Sequence, residues 1–226
     1  MLPLDVDYRK FSLSKLRTPE FSHLLLLLFW PIYGFMFMSV EVLIPRDYYQ
    51  SVWCELDNYI PFNELFIIPY WAWFVFLIGM IIYLGAFDVE NFKRYMWFII
   101  ISYSVTITFY LIYPTCQNLR PEITRDNIFA VAVKGLYDFD TNTNVCPSIH
   151  VLGMVASFLG GWYAKGMQSV GWKIFWIVSL ILVCASTVFL KQHSIIDVIA
   201  ALLLCVVTYY IVYKIMPKIS RRKGRF

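Results

Sequence analysis

The chain has 226 residues, 60% of them hydrophobic and 15% charged. A water-soluble domain is about half apolar and a quarter charged, so the composition excludes an ordinary soluble fold and points to hydrocarbon as the main solvent. The net charge of +4 says little by itself, and no nucleic-acid partner is expected; where the cations sit says more.

In chain order, residues 1–20 form a polar, basic arm with Arg9, Lys10, Lys15 and Arg17. Tyr8, Phe11, Leu13 and Leu16 would let this arm lie on a membrane surface; a disordered tail fits the sequence equally well. The first apolar run follows some twenty polar residues and has no small-residue cleavage site after it, so it reads as a retained span and not as a signal peptide. A transmembrane helix needs about 20 mostly apolar residues. Six runs qualify, at roughly 22–42, 64–86, 95–115, 148–165, 172–190 and 194–215. Pro31, Gly34 and Pro69 are tolerated in spans where neighbours satisfy the backbone, and Gly153, Gly160 and Gly161 allow close helix packing. His23 is expected at an interface, without a role. The sequence thus divides into the arm, one membrane domain over 21–216 and a basic tail at 217–226.

With the N-terminus inside, the inner segments carry 14 Lys and Arg and the outer segments 5: Arg46, Arg120, Arg125, Lys134 and Lys191. The positive-inside rule requires this sense. Both termini are then cytoplasmic, with the plasma membrane the expected location. The longest outer loop, about 116–147, holds the turn formers Asp138, Asp140, Asn142 and Asn144. No two of the five cysteines have metal-ligand spacing. Cys184 and Cys205 lie in apolar runs; Cys54, Cys116 and Cys146 lie in outer loops, where one disulfide has room to form and one thiol is left over.

Three polar groups fall at the outer level. Arg120 follows the third span and is a fixed cation able to grip a phosphate in bidentate fashion, although outer-loop arginines are often plain surface residues. Pro147 and Ser148 suit a helix start, whose free N–H groups attract an anion; His150 lies one turn in, and an ordinary cap with an incidental histidine accounts for the same residues. His193 and Asp197 are four apart, on one helix face. A carboxylate at membrane depth is a functional signal, and one paired with histidine fixes the ring's tautomer. A helix cap by Ser194 or His193, with Asp197 in the first turn, explains the pair equally well.

Arg120-Pro121, Pro147-Ser148-Ile149-His150, and Ser186 followed by His193-x-x-x-Asp197 resemble the three signature motifs of the type 2 phosphatidic acid phosphatase (PAP2) superfamily, over roughly residues 60–215. The resemblance implies an all-α, six-transmembrane bundle that acts on a phosphorylated lipid without metal or other cofactor. It implies His193 as the nucleophile forming a phosphohistidine, Asp197 as its orienting carboxylate and His150 as the general acid. Arg120 and Ser148 are implied as phosphate ligands. This chain departs from the pattern at Tyr113, where the family usually has lysine, at Thr187, where it has arginine, and at Ile149, where it has glycine. Lys191 is a candidate replacement for one missing cation. Similar trimming resembles the branch of sphingomyelin and inositol phosphorylceramide synthases. The expected activity is a lipid phosphatase; a lipid phosphotransferase and a non-enzymatic lipid-binding protein are the alternatives. Metalloprotease H-E-x-x-H and hydrolase G-x-S-x-G motifs are absent.

Overall fold

The computed structural model describes residues 3–222. Its principal helices are α1 (Ser22–Leu43), α2 (Glu64–Phe87), α3 (Val89–Ile112), α4 (Ile128–Phe139), α5 (Ile149–Tyr163), α6 (Val170–Phe189) and α7 (Ile195–Ile219). Five of these, α1, α2, α3, α6 and α7, are long and apolar enough to cross a membrane. The protein is an all-α polytopic membrane protein.

Helix α5 takes the place of the fourth expected span but has only 15 residues. At 1.5 Å per residue that is about 22 Å, short of the ~30 Å hydrocarbon core. Its surroundings explain the length. It packs against α2, α3, α6 and α7, and most of its side chains are buried, so most of its surface meets protein and not lipid. Close approach depends on glycine: a Cβ on Gly153 would stand 2.6 Å from the Tyr103 hydroxyl, and one on Gly161 would run into the Trp176 indole.

Capping residues move the span boundaries. Helix α3 begins at Val89 and not near 95, because the Asp88 side chain accepts from the Asn91 N–H and starts the helix there. Lys93 and Arg94 therefore ride on the helix, and Arg94 pairs with Glu90. Pro31 and Pro69 are each the third residue of an α-helical segment, where a missing N–H breaks no bond. Helix α7 continues through a π turn at Tyr210–Ile215.

The two ends of the bundle differ. At one end the N-terminal arm is folded down. Asp5 N–H donates to the Ala86 carbonyl, the Asp5 carboxyl binds Lys165, and the Tyr8 hydroxyl bonds the Gly85 carbonyl and His23 Nε2. His23, expected at an interface, is buried and pins the arm. The basic tail extends past the described residues at Lys223–Phe226. At the other end a two-residue parallel ladder, β1 (Gln50–Ser51) with β2 (Thr115–Cys116), joins the first and third inter-helix segments. There the region read as a loop contains α4, started by Asn127, which accepts from Phe129 and Ala130. Its apolar face, with Ala130 and Val133 buried, rests on the start of α2, and it ends at Asp140, the first of the turn formers to reach the interior. All five cysteines are free thiols.

Candidate active site

The sequence brings its polar groups to the ladder end of the bundle by starting two helices there. Ser148 caps α5, its Oγ accepting from Val151 N–H, and the cap fixes His150 in the first turn. Ser194 caps α7, placing His193 just ahead of the helix. The Ser148 N–H donates to the Asp197 carbonyl, so the two helix starts are tied directly. Asp197 meets both readings of its position: its Oδ2 accepts from Ser194 N–H at 2.9 Å and faces His193 Nδ1 at 3.2 Å. One carboxyl closes the helix and orients the ring.

His193 is held by its backbone as well. Its own N–H and that of Gln192 both donate to the Thr187 carbonyl, while Lys191 turns the chain with φ of 53°. Gln117 and the Tyr137 hydroxyl bind the Lys191 and Leu190 carbonyls. Asp57, fully buried, reaches over from the first inter-helix segment and accepts from the Ser194 hydroxyl at 2.6 Å and from Ile195 N–H at 2.9 Å.

The two histidines meet. His150 Nδ1 stands 3.2 Å from His193 Nε2. The other nitrogen of His150, Nε2, is 2.7 Å from the Tyr70 hydroxyl, which also bonds Asp140 Oδ2 at 3.0 Å. The rings of Tyr70 and Trp73 pack on the imidazole of His150, each with centroids 4.6 Å away. Five side chains therefore stand in one row: Asp140, Tyr70, His150, His193 and Asp197.

Arg120 is not a free cation. Its guanidinium donates to the carbonyls of Tyr137, Asp140 and Thr141 and to the amide oxygen of Gln192, and it stacks on the Tyr137 ring. Burial lowers its basicity, against the opposing pull of Asp140. Arg120 thus fixes the Gln192 amide, whose Nε2 is buried without a partner on the wall of a small cavity. That cavity has a volume of about 20 Å³ and is bounded by Asp140, Asn144, His150, Gln192 and His193, with Phe37 on its apolar side. It is water-sized, where the motifs suggest an anion-sized hollow. A phosphoryl group between an attacking nitrogen and an acid needs those nitrogens roughly 6 Å apart, so the rings here are closed on each other.

Of the residues expected at the site, His150, His193 and Asp197 come together. Arg120 reaches the cavity through Gln192. Ser148 is fully buried as a cap, and Lys191 binds the Asp57 carbonyl at 2.7 Å; neither lines the cavity. Tyr113 is half exposed, and Thr187 turns its hydroxyl back onto the Cys184 carbonyl, so the two departed positions bring no charge. Tyr70, Asp140, Gln192 and Asp57 were not singled out from sequence. Their neighbours in space lie far away in the chain, and only the membrane depth of Tyr70 hints at them. Among the described residues no cluster of three or more His, Cys, Asp and Glu has the form of a metal site.

No curated protein and no solved structure matches the chain. The sequence model of the PAP2 superfamily matches residues 93–221. That stretch is more than half of the chain and runs from α3 through both histidines to the end of the bundle. The chain belongs to the PAP2 superfamily.

Proposed function

We propose that the protein is a lipid phosphatase that removes phosphate from a lipid phosphomonoester or polyprenyl diphosphate at the outer face of the plasma membrane, with both termini in the cytoplasm. The observation that carries this reading is the contact of His150 with His193, backed by Asp197. Asp197 holds the Nδ1 proton of His193 and leaves Nε2 to attack phosphorus. The N–P bond forms as the ester P–O bond breaks, and His150 gives the leaving oxygen its proton. Water, deprotonated by His150, then displaces His193 and releases phosphate.

The equatorial oxygens are met by neutral donors as much as by charge. Arg120 orients the Gln192 amide, and Gln192 Nε2 and the start of α5 capped by Ser148 turn N–H groups to the anion. Lys191 stays on the Asp57 carbonyl and supports the His193 turn. For substrate to enter, the two imidazoles must part, and Phe37 and Ile149 on the apolar side of the cavity are where a lipid would press.

A second reading rests on charge. With Tyr113 and Thr187 in place of two cations, and Arg120 already bonded to four acceptors, the site matches the single negative charge of a phosphodiester better than the double charge of a monoester. That favours transfer of a phosphoryl headgroup to an alcohol.

One experiment addresses both readings. Protein purified in detergent is given phosphatidate, phosphatidylglycerol phosphate, polyprenyl diphosphate or choline and inositol phosphodiester lipids, with and without a lipid alcohol. Phosphate release that His193→Ala abolishes supports the first reading, and acceptor-dependent transfer supports the second. If no lipid turns over and no phosphohistidine can be trapped, the fold serves as a lipid-binding scaffold.

A further inference from the structure

The row Asp140–Tyr70–His150–His193–Asp197 has four contacts, at 3.0, 2.7, 3.2 and 3.2 Å. All four lie within or close to the usual hydrogen-bond range, and each needs one proton between its partners. With both carboxyls ionised and both imidazoles neutral, the row supplies only three protons: one from the tyrosine and one from each histidine. A fourth must be present for every contact to be a hydrogen bond. It can rest on Asp140, on His150 or on His193, and it passes between them by a shift of each hydrogen along the row.

We infer that Tyr70 and Asp140 hold a proton behind His150 and deliver it during the reaction, an inference that rests on the two-histidine mechanism proposed above. As the P–O bond breaks and the N–P bond to His193 forms, His150 gives its Nδ1 hydrogen to the leaving oxygen. At the same time Tyr70 gives its hydrogen to His150 Nε2, and the Asp140 carboxyl restores the tyrosine hydroxyl. His150 ends neutral and Asp140 ionised. In the second half His150 Nδ1 takes a proton from water, the oxygen displaces His193 from phosphorus, and the extra hydrogen returns through Tyr70 to Asp140. The row ends as it began. Without this arm, His150 would have to become an imidazolate or draw its second proton from solvent.

The surroundings of Asp140 suit the task. The charged and titratable groups that face it are Tyr70 of α2, Glu41 of α1, Arg120 ahead of α4, and the two histidines across the cavity. Burial raises its carboxyl above the ordinary range, with His193, the Tyr70 hydrogen bond and Arg120 opposing. A raised carboxyl keeps its proton to higher pH, and as pH climbs through its titration the store empties. The rate with a poor leaving group should therefore show an alkaline limb set by the row. Neither Tyr70 nor Asp140 transfers a proton to substrate itself; both act through His150, as positioning residues.

Asp140→Asn separates proton storage from structure, because an amide donates a fixed N–H to Tyr70 and so completes all four contacts without the extra proton. In detergent, Asp140→Asn should melt like the natural protein. It should lose about 10²-fold of kcat on dioctanoyl phosphatidate, whose leaving group needs a proton, and only a few-fold on para-nitrophenyl phosphate, and its alkaline limb should vanish. Tyr70→Phe keeps the ring on His150 and should show the same split. Asp140→Asn and Tyr70→Phe proteins that keep the natural rate and pH profile on the alkyl ester would overturn the relay, as would equal losses on both esters. Trapping the phosphoenzyme from radiolabelled phosphatidate, with His193→Ala as blank, tells the two failures apart. A phosphohistidine in the natural protein with unchanged variants sinks the relay alone; no phosphohistidine and no turnover sinks the mechanism and the relay with it.

Discussion

At the scale of single residues, the site is built so that each group fixes the next. His150 is the acid in this scheme, so His150→Ala should slow an alkyl phosphate about 10²-fold or more and an activated aryl phosphate far less. Steady-state rates on the two esters check this, and equal losses would remove His150 from the acid role. Gln192 offers the test of how phosphate is held. A hydrogen bond to a charged group contributes roughly 1.5–3 kcal/mol. Gln192→Leu should therefore lower kcat/KM by about 10- to 100-fold while leaving the Arg120 contacts to the Tyr137, Asp140 and Thr141 carbonyls in place. Unchanged kcat/KM would show that the amide does not reach the substrate. Vanadate, as a trigonal-bipyramidal mimic on His193, should inhibit competitively; full turnover at saturating vanadate would count against a covalent intermediate.

At the scale of elements, the start of α7 and the glycines of α5 carry the arrangement. Asp57 accepts from Cys54 N–H, Ser194 Oγ and Ile195 N–H, three donors that would be stranded in a buried place if the carboxyl were removed. Asp57→Ala should lower stability by about 3 kcal/mol or more, since each orphaned donor costs about 1–3 kcal/mol, and thermal unfolding in detergent measures it. Overpacking a helix contact costs about 1–3 kcal/mol, against a helix-propensity gain of about 1 kcal/mol for glycine to alanine. Gly161→Ala drives a methyl into the buried Trp176 ring and should destabilise. Gly153→Ala crowds the Tyr103 hydroxyl and the Trp73 Nε1 at 2.8 Å. Because Trp73 packs on His150 and Tyr103 holds the Ile149 carbonyl, this variant should lose activity out of proportion to its melting shift. A proportionate loss would mean that Trp73 does not set the imidazole.

At the scale of the whole molecule, the proposed topology puts the ladder end of the bundle outside and the arm end inside. In a protein with Cys54 and Cys116 replaced by serine, Asn118→Cys should react with an impermeant maleimide on intact cells, and Lys10→Cys only after permeabilisation. The reverse pattern would turn the molecule over and place the chemistry at the inner face. Both positions are exposed, so reactivity reports sidedness and not burial.

The sequence by itself determined the all-α membrane class and five of the six expected spans, and it pointed to the two histidines and the aspartate that the fold brings together. Those depend on composition, on apolar run length and on spacings within one helix start, all of which are local. It also carried both meanings of Asp197, as cap and as partner of His193, without choosing, and the fold makes them one. Boundaries were less legible: the cap at Asp88 lengthened α3, and Asn127 began α4 inside what its turn formers marked as loop. Only the tertiary structure decided that Arg120 spends its donors on carbonyls and Gln192, that Lys191 points to Asp57, and that Tyr70 and Asp140 stand behind His150. Those pairings join residues seventy or more positions apart, or turn a side chain away from the direction its motif suggests. Hydrogen-bond satisfaction in a buried site chooses among partners that helix packing brings near, and those partners are not neighbours in the sequence.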